Sequence, residues 1–569
     1  MYSTLPATSE EFEKLHWADI EPWYRELLDA PLSQETVEPW LRQWSHLGEL
    51  TNETLTRHEI DCTRNTEDTS LFERKQRFEQ DVYTHIQAVE QQINQKLLDS
   101  GLEPEGFELP LRKLRTETEL YREENQPLLN EERELSIAYQ RIGGARLVEW
   151  EGKQVTPDSL AIVLQGKDRE RREQAWRLIA ERVMEDREQL DALWSKIFRV
   201  RQQIAQNAGF SNYREYRWQQ LFRFDYTPED SKAFHESVAQ IIVPAASRIW
   251  EKRRQLLGIE TLRPWDTDVQ PQSKGETPYE DVYAILPQCA AAFGKVDPQL
   301  QHYFNIMIDE HLFDIDDRPA KAGGGYNLPL EVKKRPFIFG RAFSLHDVGN
   351  LICHEAGHAF HTFEMAHLPY VHQRKEDFLP MEFAEVASTS MEIIGPMHLA
   401  EAGLCTPQEG ARLQIKTLES MLINLIPMVV RGDAFQHWLY ENPELATDPE
   451  ACGQKWAELT QRYLPDIDWS DLEAALKMNW QRVLHFYCVP FYYIEYAFAA
   501  IGAIQIWQNY RKDPQSAIQR YRSALALGST KPLPELYEAA GAQFRFDAEM
   551  LQSIVTSLLE AIEELEKQA

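Results

Sequence analysis

Through most of the first 210 residues, apolar positions recur every three or four residues with charged positions between them. EEFEKLHWADIEPWYRELLDA and SLFERKQRFEQDVYTHIQAVEQQINQKLL show this spacing, which places the apolar side chains on one helical face and predicts amphipathic helices. The period shortens at ARLVEWEGKQVT, where residues alternate on either side of Glu151-Gly152, so a small hairpin is expected there and a helix is expected to open at Pro157-Asp158. From Asp168 to Asn207 the helical spacing runs without Pro or Gly, predicting one or two long helices and a boundary near Gly209. The expected organisation is an N-terminal helical domain over residues 1–205 and a second domain over 206–569.

The second part has two breaks. GIETLRPWDTDVQPQSKGETPYE, between Gly258 and Glu280, is polar and rich in turn formers and reads as a surface loop. DDRPAKAGGGYNLP places Gly323, Gly324 and Gly325 together, a mobile loop, ahead of KKRPFIFGRAF, whose β-branched and aromatic residues predict a strand. SIVTSLLEAIEELEKQ reads as a closing amphipathic helix. The fold class expected is mainly α, a large multi-helix body with a small β-sheet.

Candidate chemistry is concentrated just after that strand. Ser344, with Asp347 three residues on, resembles an N-cap, so a helix is expected to run through NLICHEAGHAFHTFE. His354 and His358 then project from one face a turn apart, with Glu355 at the side, the HExxH arrangement. Two neutral imidazoles and a carboxylate hold Zn²⁺ while leaving a position for water, whose pKa the metal lowers to about 7. Glu355 is placed to take the water proton and return it to the leaving amide nitrogen, so the expected reaction is peptide-bond hydrolysis. Gly357, costly inside a helix, implies close approach of another backbone, a substrate or a crossing helix.

The third ligand is open to two kinds of reading. A second histidine-type continuation would need Gly and His at positions 361 and 364, where the chain has His361 and Glu364. PMEFAEVASTSMEIIG instead offers Glu382, Glu385, Thr389 and Glu392 along an otherwise apolar helix; Glu385 is central, Glu382 is the alternative, and Glu392 is placed to support a ligating histidine. His361 shares the ligand face and is expected to orient the site or fill space. Further on, HFYCVPFYYIEYAFAAIGA supplies His485, Tyr492, Tyr493 and Tyr496, hydroxyl and imidazole donors for an oxyanion, or ordinary core aromatics.

Composition narrows the partners. Against 60 Lys and Arg stand 91 Asp and Glu, a formal net charge of −31, which repels phosphate backbones and anionic membranes, so neither nucleic acid nor a membrane is an expected partner. Six scattered cysteines form no CxxC pair or disulfide framework, fitting a reducing compartment, and Cys353 beside His354 reads as a small buried hydrophobe. The start MYSTLPATSEEFEKLHW lacks a basic segment followed by an apolar core, and the expected location is the cytoplasm.

At HEAGHAFH, AEVASTSMEIIG and HFYCVPFYYIEYA the chain resembles the oligoendopeptidase F and thimet oligopeptidase family of zinc metallopeptidases. WADIEPWYRELL is similar to the opening of its oligoendopeptidase F branch. The resemblance implies one zinc ion per chain on His354, His358 and Glu385, Glu355 as general base and later acid, and His485 and Tyr496 against substrate or transition state. PFYYIEYA aligns so that either Tyr492 or Tyr493 takes the upstream tyrosine role, and AGGGYN is similar to the family's substrate loop, implicating Gly324, Gly325 and Tyr326. It further implies a zincin-type, two-lobed helical fold with zinc on the floor of a deep channel, and short unstructured peptides as substrates. RPFIFGRAF would offer an edge to which substrate adds as a strand. A zinc carboxypeptidase or dipeptidyl carboxypeptidase is the competing enzyme, and a zinc-stabilised peptide-binding scaffold is the non-catalytic alternative.

Overall fold

The computed structural model describes residues 3–269 and 278–569. Helices dominate. Those that position the site are α1 (Val37–Arg64), α2 (Arg169–Glu185), α3 (Arg187–Asn207), α4 (Tyr213–Gln220), α5 (Pro228–Leu257), α6 (His354–Met365), α7 (Met381–Ile394), α8 (Ile426–Glu441) and α9 (Tyr493–Lys512). The expected hairpin forms from β1 (Val148–Trp150) and β2 (Lys153–Val155), with Glu151 and Gly152 both at positive φ in the turn. A three-stranded sheet contains β3 (Phe313–Asp314), β4 (Tyr326–Leu330) and β5 (Arg335–Phe339).

Local sequence accounts for the helix ends. Asp168 caps α2 by accepting from the backbone N–H of Glu170 and Arg171, and Asp186 alone separates α2 from α3, so the long Asp168–Asn207 pattern resolves into two helices. Thr227 and Asp230 form a reciprocal capping box at the start of α5, which ends at Gly258 in the left-handed region.

Two apolar cores form. The smaller gathers Phe12, Trp40, Trp44, Ile93, Phe107 and Leu114 with Tyr370 and Phe378 from beyond α6. The larger runs from the helices after residue 120 to the C-terminal helix Ala548–Glu566. α8 lies in the larger core; the stretch Pro407–Glu441 is long and apolar enough to cross a membrane by composition, but its residues are spent on packing, with 61% of its apolar window buried.

Two sequence expectations are altered. The polar stretch after Gly258 is not a plain surface loop: Leu262, Trp265, Asp266 and Val269 are buried, and Asp266 accepts from Arg169 and Arg172, both at 2.8 Å. Its apolar anchors are too few to produce a periodic signal, yet the buried ion pair holds it down; residues 270–277 of that stretch lie outside the described residues. β5, expected as an edge, is instead the central strand, parallel to β3 and antiparallel to β4 in the order β3-β5-β4. β4 is the outer strand on the cleft side, and Tyr326, Asn327 and Pro329 stand in the cleft wall.

Candidate metal centre

Ser344 and Asp347 form the expected capping box, and a π-helical turn over Val348–Cys353 leads directly into α6. The wider turn re-aims the helix just before His354. α6 crosses α7 closely: a Cβ at Gly357 would lie 2.4 Å from the carbonyl oxygen of Ala387 and 2.5 Å from Cα of Ser388. Gly357 is therefore explained by a helix crossing, and the absence of a side chain there brings Glu385 up to the two imidazoles.

Nε2 of His354 stands 3.5 Å and Nε2 of His358 3.6 Å from Oε2 of Glu385. One ligand atom from each of the three lies within 4.8 Å of the others, a set of two nitrogens and one oxygen of the kind that holds zinc with a position to spare. Nδ1 of His354 donates to Oε2 of Glu392 at 3.2 Å, which orients the ring so that Nε2 faces the other two ligand groups. Ser388 donates to Oε2 of Glu385 at 2.9 Å and holds that carboxylate from below. The donor set and its supporting hydrogen bonds fit a bound divalent ion.

Electrostatics follow burial. Burial would lower His354, but Glu392, Glu385 and Glu355 together outweigh it and lift it to about 9, so three carboxylates seek positive charge at this point. His358, held down to about 4 by burial, keeps a neutral ring with a lone pair. Glu355 is pushed up to about 7, first by burial and then by Glu385, and its Oε2 is buried without a hydrogen-bond partner. A carboxyl balanced near neutrality suits a group that gains and loses a proton each turnover.

A cavity of about 290 Å³ opens over these residues, and its wall includes Gly325, Tyr326, His354, Glu355, His358, His361, Glu385, Tyr492 and Tyr496. It shares Glu376, Leu379, Met381 and Tyr492 with a second space of about 600 Å³, so the two make one elongated cleft. Gly325 approaches the base closely, since a Cβ there would lie 3.6 Å from Oε1 of Glu355 and 2.5 Å from Leu351. Gly324, at φ +89°, makes the turn that permits this approach. Tyr326 is held to one side: its ring stacks on Phe339 at 4.7 Å and its hydroxyl lies 2.6 Å from Oγ1 of Thr63 on α1.

The tyrosines divide. The Tyr492 hydroxyl donates to Oε1 of Glu385 at 3.4 Å, and Tyr496 packs beside it with ring centres 5.2 Å apart. Burial, reinforced by Glu385, raises both phenols above their ordinary value, so both remain donors. Tyr493 turns to the other side and fills the space over Gly432, where a Cβ would lie 2.4 Å from its ring. His485 stands behind the tyrosines, 4.4 Å from the Tyr493 ring and 5.8 Å from that of Tyr496, its pKa lowered to about 4 by burial. His361 reaches the cavity wall with Nε2 unpartnered and packs against Phe383. Glu382 points away from the histidines to Tyr226, whose hydroxyl donates to it at 2.6 Å.

A second cluster, His235, Asp433 and His437, is also close enough to hold an ion. Its hydrogen bonding argues otherwise: Arg214 donates to Nδ1 of His437 at 3.2 Å, which leaves the proton on Nε2, and His235 Nε2 is 2.8 Å from Asp433. That cluster reads as a buried His–Asp–His tie between α5 and α8. Sequence reading passed over Arg223 and Tyr226 in LFRFDYTPED, which reach Glu382 and Glu495 from a loop carrying no periodic or motif signal.

Residues 162–556 match the model of peptidase family M3. The oligoendopeptidase F homolog of Borreliella burgdorferi is 23% identical over 395 residues, spanning 67% of this chain and 63% of that relative's length. Among solved structures, PZ peptidase A with an inhibitor superposes with a TM-score of 0.87 at 25% identity, over 100% of this chain and 99% of the other. A chain proposed to be an oligoendopeptidase F gives 0.88 at 25% identity, covering 99% of each. Oligoendopeptidase F from Enterococcus faecium, 16% identical, shares the fold with a TM-score of 0.62 over 99% of each chain.

Proposed function

The chain belongs to peptidase family M3, and from that premise we propose that it is a zinc-dependent endopeptidase cutting internal bonds of short, unstructured peptides. The observation that carries the reading is the meeting of His354, His358 and Glu385 beside a buried, partnerless Glu355 in the wall of a cleft. His354, His358 and Glu385 would hold the zinc. When bound, it would acidify a water molecule and polarise the scissile carbonyl. Glu355 would take the water's proton at its free oxygen and later hand it to the leaving nitrogen. Tyr492 and Tyr496, kept protonated by burial, supply hydroxyl donors where negative charge develops on the carbonyl oxygen. The outer edge of β4, beside Glu355, suits an extended peptide adding as a strand, with Gly325 leaving room for its backbone.

An exopeptidase needs an unspent cation for the terminal carboxylate. Arg374, in the wall of the cavity over the ligand residues, is already paired with Glu331 and Glu49, while Lys113, Arg122 and Arg217 line the adjoining space, so product lengths decide between internal and terminal cleavage. Six free cysteines, four of them buried, fit the cytoplasmic location we propose. The deciding experiment incubates zinc-loaded protein with a mixed-length peptide library and maps the products by mass spectrometry. Internal cuts are expected, and Glu355→Gln is expected to lower kcat by about 10²–10⁴-fold. Stepwise loss of terminal residues, or full turnover by the variant, would overturn the reading.

A further inference from the structure

We propose that Arg223 is a positioning residue that sets the tyrosine-bearing helix α9 against the ligand-bearing helix α7. The inference rests on the proposed peptidase reading and extends it to a residue outside the metal motif.

Arg223 lies in the turn between α4 and α5, follows Phe222 at φ +54°, and is buried with 4% of its surface exposed. Its guanidinium lies over the Trp218 ring, 4.5 Å from the ring centre, which leaves the fork's edge for other partners. One nitrogen, Nη2, donates to Oε1 of Glu495 at 2.6 Å and to the carbonyl of Phe491. Nε lies 3.7 Å from Oε1 of Glu382, an ion-pair contact longer than a hydrogen bond, and that oxygen accepts from Tyr226. The partners thus sit on two helices: Glu382 is in the first turn of α7, three residues before Glu385, and Glu495 is in the first turn of α9, between Tyr492 and Tyr496.

Phe491 adds a second, independent observation. Its φ is +65°, a strained conformation for a non-glycine residue that persists only where the surroundings hold it. Here Gln436 accepts from its N–H at 2.6 Å while Arg223 donates to its C=O. The backbone clamped from both sides is the residue immediately before Tyr492, so the clamp sets where the Tyr492 hydroxyl stands relative to Glu385. Arg223 touches no reacting atom; it acts through Tyr492, Tyr496 and Glu385.

The test compares the zinc-loaded full chain with Arg223→Lys and with the double variant Arg223→Met/Glu495→Gln. Lysine keeps the buried charge but cannot span both helices, and the double variant removes charge from both members of the hydrogen-bonded pair while Glu382 keeps its bond from Tyr226. Steady-state cleavage of an internally quenched peptide, melting temperature and zinc affinity are measured for each. The expected result is a loss of about 10–100-fold in kcat with KM near the parent value, since a small misplacement of positioned groups costs rate more than binding. Arg223→Lys at the parent kcat would show that charge balance alone is required, and a loss confined to KM would show a binding role; either overturns the inference. A double variant that melts with the parent and cleaves at its rate overturns it as well. Failure of the parent chain to cleave any peptide would count against the peptidase reading itself.

Discussion

At the residue scale, adjacent side chains have opposite fates. Tyr492 and Tyr493 are neighbours at the start of a helix, so their directions differ by about 100°. One hydroxyl reaches Glu385 and the other ring closes over Gly432. Tyr492→Phe and Tyr496→Phe are each expected to reduce kcat by about 100-fold, the usual loss on removing an oxyanion donor. Tyr493→Phe should leave the rate near that of the parent. Steady-state kinetics on one peptide check all three, and equal losses would remove the distinction. Far from the cleft, Glu90 accepts from Nε1 of Trp44 at 2.8 Å, and burial lifts its carboxyl to about 7. In the unfolded chain a glutamate titrates near about 4.3, so the folded form holds the proton more tightly and stability falls as pH rises from there to about 7. Glu90→Gln mimics the protonated group and should melt higher than the parent at pH 8, with the gap closing by pH 4. A gap independent of pH would refute the assignment.

At the element scale, the site depends on one helix crossing. α6 carries the histidines and α7 the carboxylates, and Gly357 lets them approach until a Cβ would meet Ala387 and Ser388. Gly357→Ala gains helix propensity on α6 but forces the helices apart, and overpacking of this kind costs about 1–3 kcal/mol. The variant is expected to melt lower and to bind zinc more weakly, because Glu385 recedes from His354 and His358. Thermal denaturation and a zinc titration with a competing chelator measure the two effects. Both helices were legible in the sequence, through the capping Ser344 and Asp347 and through acidic residues recurring in an apolar helix. Glu385 is chosen there for its central place in the acidic stripe and by the family resemblance, with Glu382 as the alternative. Glu382 and Glu385 lie on the same buried helix, and the choice falls to what stands opposite each: Arg223 and Tyr226 for one, two imidazoles for the other.

At the scale of the whole molecule, the cleft joins distant segments. The segment leading into the Gly323–Gly325 loop is tied to the C-terminal end of α1, with Thr66 N–H donating to Ala320 at 2.7 Å, Ala322 N–H donating to Thr63 at 2.8 Å and Arg64 bonding Asp314 at 2.6 Å. Lodged between such walls, a site floor admits a single extended strand more readily than a folded surface. A peptide cut efficiently when free is therefore expected to resist cleavage when the same sequence is held inside a stable folded domain. Gel and mass analysis of the two substrates side by side check this, and equal cleavage would require a cleft far more open than this one.

By itself the sequence determined the mainly helical class, the β1–β2 hairpin, the pair of helices α2 and α3, and the residue types of the metal centre. These are written locally: a period of three or four, a cap, two histidines a turn apart. It also carried the family resemblance, because the motif blocks survive as contiguous strings. Only the tertiary structure decided that β4 rather than β5 is the cleft-side edge, that Tyr492 rather than Tyr493 faces Glu385, and that Arg223 spans two helices. The reason is physical. Periodicity fixes which face of an element is apolar, whereas the neighbour that meets each polar group is set by how distant elements pack, and that rests on close approaches such as Gly357 against Ala387 that leave no mark in local pattern.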